Sequence, residues 1–272
     1  LGSVTPRLAN ALMQAPGVDG LVKRWLHLAP RREMPRLAAR SFVKWARSAR
    51  VPLPGQSGPG GRREVVLWAD TFNNHFRPQT SRAALDVLRT AGLHVTVPGA
   101  RLCCGRPLYD FGMLDRAKRY LQAVMDHLGP QIDAGVPLVV LEPSCASVFR
   151  DELRSLFPSD PRADRLRQQT FLLSEFLERH APEFVLPRLE RAVLLHGHCH
   201  HKALMKMTDE ESVLRKMGAQ VSAPDAGCCG MAGPFGFDAG KFDLSMAIGE
   251  RVLLPAVRSA PTDTLLVSDG FS

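Results

Sequence analysis

"RAVLLHGHCHHKA", residues 191–203, runs from a short apolar segment directly into four histidines and one cysteine. A brief apolar run that gives way to polar residues reads as a buried strand opening into a loop. A similar pattern occurs earlier in the chain. "VVLWADT" (65–71) aligns with "VLLHGHC" (193–199) at an offset of 128, with Thr71 opposite Cys199. Downstream, "ALDVLRTAGLHVTVPGARLCCG" (84–105) parallels "ESVLRKMGAQVSAPDAGCCG" (211–230), each a helix, a glycine cap, a short strand and Cys-Cys-Gly. "PLVVLEPSC" (137–145) then parallels "DTLLVSDGFS" (263–272), so that Cys145 falls opposite position 273.

Such self-similarity marks a duplicated unit. Each copy alternates strand and helix, which implies parallel pairing in a layered sheet. The expected fold is α/β: two tandem, related parallel-sheet (Rossmann-like) units over 64–185 and 186–272, preceded by a basic helical arm and Pro/Gly linker over 1–63. Further expected helices are "MLDRAKRYLQAVMDHLG" and a stretch around "QQTFLLSEFLERH". In the arm they are "RLANALMQA", "VDGLVKRWLHL" and "MPRLAARSFVKWARSAR", with Trp25 and Trp45 packing the arm against the body. The start at Leu1 and the end at "VSDGFS" read as a piece of a longer protein, cut before the second copy's last ligand.

The net charge of +8 sits entirely in residues 1–50, which hold ten Lys/Arg against two Asp/Glu; the remainder carries 25 of each sign. The arm is thus a solvated connector, or it docks on an acidic neighbouring domain or an anionic membrane surface. Nucleic acid is a poor partner, because aromatics are few and no recognition motif is present. No apolar run reaches the length of a membrane span.

In parallel sheets ligands bind outside the carboxyl ends of the strands. All six cysteines follow strands: Cys103, Cys104, Cys145, Cys199, Cys228 and Cys229. Adjacent cysteines make a poor disulfide framework, and two matched Cys-Cys-Gly loops point instead to a metal or cluster. The glycines of "DAGCCGMAGPFGFDAG", Gly230 among them, let the backbone approach a cluster and offer amides to sulfur. Thiolates converging from distant loops suit iron–sulfur better than zinc, which favours Cys-x-x-Cys spacing. His196, His198, His200 and His201 serve as ligands or, preferably, as hydrogen-bond donors to the thiolates. In the first copy Thr71 replaces a cysteine. Cys103, Cys104 and Cys145 could there hold zinc with His75 or water, hold a cluster with an open iron, or bind nothing. Met205, Met207 and Met217 read as core packing, and Asp110 and Asp238 as helix caps.

These residues resemble the CCG, or cysteine-rich, domain that occurs twice in heterodisulfide reductase subunits and in iron–sulfur subunits of glycolate, lactate and glycerol-3-phosphate dehydrogenases. "VLWADTFNNHFRPQT", "LCCGRPLYDFGMLD", "LEPSCASVFRDEL", "TFLLSEFL", "HGHCHHKA" and "GCCGMAGPFGF" are similar to one subgroup. It comprises the FAD-linked oxidoreductases that fuse a flavin domain, a ferredoxin-like domain and this module. The first copy departs from the family pattern at Thr71 and Val148. The resemblance implies a 4Fe-4S-type cluster on Cys199, Cys228 and Cys229, and FAD on a domain outside this chain. It implies oxidation of a 2-hydroxy acid (D-lactate, glycolate or D-2-hydroxyglutarate) by the larger enzyme, this piece alone being inactive. Electrons pass to a quinone or other acceptor, and the location is cytoplasmic, at the inner face of the cell membrane. The alternatives are a zinc-stabilised docking domain, or a thiol/disulfide redox site with Cys145 beside Glu142.

Overall fold

A computed structural model describes residues 5–15 and 17–271. Among these residues, seven strands form two wholly parallel sheets. The first contains β1 (Glu64–Leu67), β2 (His94–Thr96), β3 (Leu138–Val140) and β4 (Thr170–Leu172), in the order β2-β1-β3-β4. The second contains β5 (Ala192–His196), β6 (Gln220–Ser222) and β7 (Leu265–Ser268), in the order β6-β5-β7. The duplication extends to the register: Val66 pairs with Leu138 and Leu194 with Leu266, the same offset of 128 in both strands.

Alternation along the strands explains why the first sheet needs cover on both faces. Val66, Leu138 and Val140 join one core with Leu121, Met125 and Phe149. Val65, Leu67 and Val139 face the other way, against Leu85, Leu88 and Phe176. The second sheet is thinner: Val193 and Leu195 meet Leu214 and Ala219 on one side, and Leu266 of β7 is exposed.

The crossover helix Pro78–Thr90 places Ala84, Leu85 and Leu88 inward and ends before Gly92, whose φ of 81° continues the chain into β2. Helix Leu114–His127 buries Ala117, Leu121, Val124 and Met125 at three- and four-residue spacing. Two departures from the sequence reading stand out. "QQTFLLSEFLERH" is not one helical stretch. β4 interrupts it between helices Pro161–Gln169 and Leu173–His180, because β3 offers a free edge that pairs Leu138 with Thr170 and Val140 with Leu172. Trp25 does not pack on the body but is 80% exposed, whereas Trp45 lies against the core of the first sheet with Arg82 over its ring.

The arm forms helices Pro6–Gln14, Val18–Trp25 and Phe42–Ser48, the last capped by Ser41, whose hydroxyl accepts from the Lys44 amide. Its two ends have different neighbours. Phe42 and Ala46 are buried with Val65, Leu67 and Leu85. Residues 27–32 lie along the second unit: Ala29 N donates to Phe237 O at 2.7 Å, Ala239 N to His27 O at 2.9 Å, and Arg32 to Gly236 O and Ser245 Oγ.

Candidate functional site

The loops after β5, β6 and β7 meet at one end of the second sheet, as parallel topology requires. Chain geometry is tight there. A Cβ on Gly197 would meet Met207 Sδ at 2.4 Å, and one on Gly270 would meet the His198 ring at 2.6 Å. Asp269, directly after β7, ties the ends together. Its Oδ1 accepts from the His198 amide at 2.6 Å, and its Oδ2 accepts from His201 Nδ1. His201 is fully buried, with its Nδ1 on Asp269 and its Nε2 without a hydrogen-bond partner among the described residues. His196 closes β5 and hydrogen bonds to Cys229.

The Cys228-Cys229 loop turns its amides onto its own sulfurs. Gly230 N donates to Cys228 Sγ at 3.3 Å, and Met231 N to Cys229 Sγ at 3.4 Å. Gly230 reaches this turn with φ of 88°. These donors favour thiolate. The His196 hydrogen bond, aided by the Met231 amide, outweighs burial and lowers the Cys229 thiol to about 7. Burial and the negative charges of Cys228 and Cys229 push the Cys199 thiol up, so the three sulfurs share one electrostatic environment. Cys199 and Cys228 are exposed.

His198, Cys199 and His200 bring one ligand atom each within 4.8 Å of one another, the only such group among the described residues. His200 is held from the first unit: Arg106 Nη2 lies 3.0 Å from His200 Nε2. A guanidinium only donates, so Nε2 accepts and the imidazole proton sits on Nδ1. Burial, then the charges of Arg106 and His198, lower the pKa of His200 and keep it neutral. Arg106 also bonds Glu152 and lies 3.1 Å from Asp110. Asp110 therefore pairs with a cation rather than capping a helix, while Asp238 does cap, accepting from Gly240 N.

The first unit gathers the corresponding positions. Cys104 Sγ lies 3.0 Å from Cys145 Sγ, Gly105 N donates to Cys103 Sγ at 3.5 Å, and Cys103 hydrogen bonds to both Cys104 and Thr71. Thr71 thus stands where the repeat puts a cysteine. These thiols are pushed the opposite way from Cys229. The bond to Cys104 and burial push Cys103 far up. For Cys145 the bond from Cys104 favours thiolate, but burial and the carboxylates of Asp70 and Glu142 outweigh it and raise the pKa. Thiols held protonated in this way are inert, which argues against a nucleophilic Cys145. His75 does not join them. Its Nε2 is 3.2 Å from Asn74 Nδ2, and burial and the charges of Lys44 and Arg101 lower its pKa.

Sequence reading missed Arg106 and Asp269. Their only local signals were an arginine directly after Cys-Cys-Gly and an acid directly after a strand.

Known proteins are similar to this chain. Residues 70–150 match the family model of the CCG cysteine-rich domain. A subunit of the anaerobic glycerol-3-phosphate dehydrogenase of Escherichia coli is 26% identical over 260 residues, covering 92% of this chain and 63% of that protein. Lactate utilization protein A of Anoxybacillus flavithermus is 27% identical over 214 residues, covering 75% of this chain and 87% of its own length. D-2-hydroxyglutarate dehydrogenase of Pseudomonas putida is 26% identical over 251 residues, covering 90% of this chain and 24% of that protein. The chain therefore spans less than two thirds of the first of these relatives and about a quarter of the last.

Proposed function

We propose that this chain, which carries a CCG cysteine-rich domain at residues 70–150, is the iron–sulfur electron-transfer module of a flavin-dependent 2-hydroxy-acid dehydrogenase. The second unit, a further CCG unit in this reading, holds the cluster, of 4Fe-4S type, on Cys199, Cys228 and Cys229. The observation that carries the proposal is the set of amides aimed at the Cys228 and Cys229 sulfurs, beside a thiol lowered to about 7. Soft thiolates with backbone donors on sulfur are the donor set iron–sulfur centres require. When bound, the cluster supplies a one-electron relay. This chain's residues do the rest: Asp269 fixes the loop of Cys199, His196 sustains the Cys229 thiolate, and Arg106 keeps His200 neutral.

The substrate class rests on the relatives' names, one a lactate utilization protein and one a D-2-hydroxyglutarate dehydrogenase. The flavin and a ferredoxin-like centre belong to neighbouring domains, and the basic arm meets them. The acceptor is a quinone or another carrier reached at the membrane face; no helix among the described residues is long and apolar enough to cross a membrane.

Anaerobic reconstitution with iron and sulfide, followed by EPR, tests the proposal. A cluster signal lost in Cys199→Ser and Cys229→Ser but kept in Cys103→Ser is expected. A colourless protein with stoichiometric zinc overturns it. That outcome would favour a second reading, a zinc-stabilised docking module, which the tight His198–Cys199–His200 group supports because nitrogen and sulfur ligands within 4.8 Å suit one ion.

A further inference from the structure

Behind the thiol loops, between the two units, lies a cleft of about 430 Å³. That volume falls within the range of small-molecule sites. Two π-helical turns line it: Val148–Glu152, which follows Cys145, contributes Arg150 and Asp151, and His201–Met205, which follows Cys199, contributes Leu204 and Met205. Single π turns inside helical segments are rare and occur often at functional sites. The opposite wall is Arg167, Phe171 and Arg179, at the edge formed by β4.

The chemistry of the lining is lopsided. Three guanidiniums face one carboxylate, that of Asp151. Arg150 donates to both oxygens of Glu175, at 2.9 and 2.7 Å, and Arg179 donates to Asp209 at 2.8 Å, so both are held in place. Arg167 is exposed and makes no ion pair or hydrogen bond among the described residues. Beside these cations sits an apolar surface of Phe171, Leu204 and Met205, with Leu204 half exposed to the cleft and to water. An unpaired guanidinium fork beside an apolar wall suits a ligand with a planar anionic group and a hydrocarbon body.

We infer that this cleft binds a small organic carboxylate, its charged group on Arg167 and its apolar part against Phe171, Leu204 and Met205. Inorganic phosphate meets the arginine but gains nothing from the apolar wall. The site abuts the thiol centre: Ser147, which also lines the cleft, accepts from Arg106 Nη1 at 3.4 Å, and Arg106 holds His200. None of the cleft residues is a proposed ligand, so carboxylate binding there is independent of which metal the thiols hold.

Calorimetric titration of the 272-residue chain with benzoate, 2-oxoglutarate and inorganic phosphate tests it. At least one carboxylate should bind. Arg167→Gln should weaken that binding about tenfold, the loss of one charge-assisted pair. Arg89→Gln, an exposed arginine on the far helix Pro78–Thr90, should leave the affinity unchanged. Because Arg167 has no partner among the described residues, an unchanged melting curve separates lost binding from lost structure. Three results would each overturn the inference: no heat from either carboxylate at about 10 mM, equal affinity in Arg167→Gln, or phosphate bound as tightly as the carboxylates.

Discussion

The two Cys-Cys-Gly loops have nearly the same backbone but unequal surroundings, and alanine substitution should separate them. Gly105 and Gly230 have φ of 78° and 88°. An alanine in either position costs about 1–2 kcal/mol for the left-handed backbone alone. At Gly105 the added Cβ would lie 3.4 Å from Ala117 Cα, an ordinary contact. At Gly230 it would lie 2.2 Å from Ser245 O and 3.0 Å from Ser245 C, both backbone atoms. A side chain cannot swing away to relieve that overlap. The loop or the helix Phe242–Gly249 must shift, at about 1–3 kcal/mol more.

Gly230→Ala should therefore cost about 2–5 kcal/mol against about 1–2 for Gly105→Ala. At roughly 2–4 °C per kcal/mol the second variant should melt several degrees above the first. Thermal unfolding followed by circular dichroism reads this directly. The shift in Gly230→Ala also pulls the Gly230 amide off Cys228, so iron uptake on reconstitution should fall in that variant and persist in Gly105→Ala. Equal melting temperatures, or a lower one for Gly105→Ala, would refute the steric reasoning.

Arg106→Gln should destabilise by about 3–5 kcal/mol, because it leaves Glu152 buried without its cation; adding Glu152→Gln should recover much of that in the same denaturation assay. Burial raises the Asp70 carboxyl from 3.8 to about 6, against the pull of its hydrogen bonds from Asn73. The unfolded chain therefore loses this proton first as pH rises. The group's share of stability is intact below about pH 4 and falls by up to about 3 kcal/mol as pH climbs through 6. Asp70→Asn should flatten that slope in urea titrations between pH 4 and 7. Trp25→Ser should change stability by less than about 0.5 kcal/mol, since the ring is exposed, and a large loss on melting would contradict its placement.

The duplicated α/β plan was legible because apolar runs such as "VVLW" and "AVLL" are buried strands at a fixed interval, and a one-residue error in their alignment would have broken the repeat. β4 was not legible. Three residues, Thr170–Leu172, are too few to interrupt the helical periodicity on either side, and only the unpaired edge of β3 makes them a strand. The arrival of the loops of Cys199 and of Cys228 and Cys229 at one end of the second sheet followed from strand order. The roles of Arg106 and Asp269 did not, because each depends on which loop faces which across more than 65 residues of sequence. Local pattern carries no information about such pairings. Trp25 was misplaced for a related reason: amphipathic spacing shows that a helix has an apolar face but not whether anything covers it.

The two Cys-Cys-Gly loops share one scaffold but meet different neighbours. In the first unit a hydroxyl, Thr71, takes the fourth position, and the buried carboxyls of Asp70 and Glu142 sit near Cys145. Negative neighbours and low exposure oppose thiolate there. In the second unit amides and an imidazole face the sulfurs, and the carboxylate of Asp269 is engaged by His198 and His201 rather than by a thiol. Positive ends of dipoles favour thiolate there. The units also remain physically joined: Phe271, two residues past Asp269, stacks on Phe72 at 4.7 Å, and its amide donates to Glu142 at 2.9 Å. The first unit thus works as a wall for the second. It supplies Arg106 to His200 and Glu142 to the turn after β7, so retaining its thiol fold has a structural cause whether or not it binds a metal.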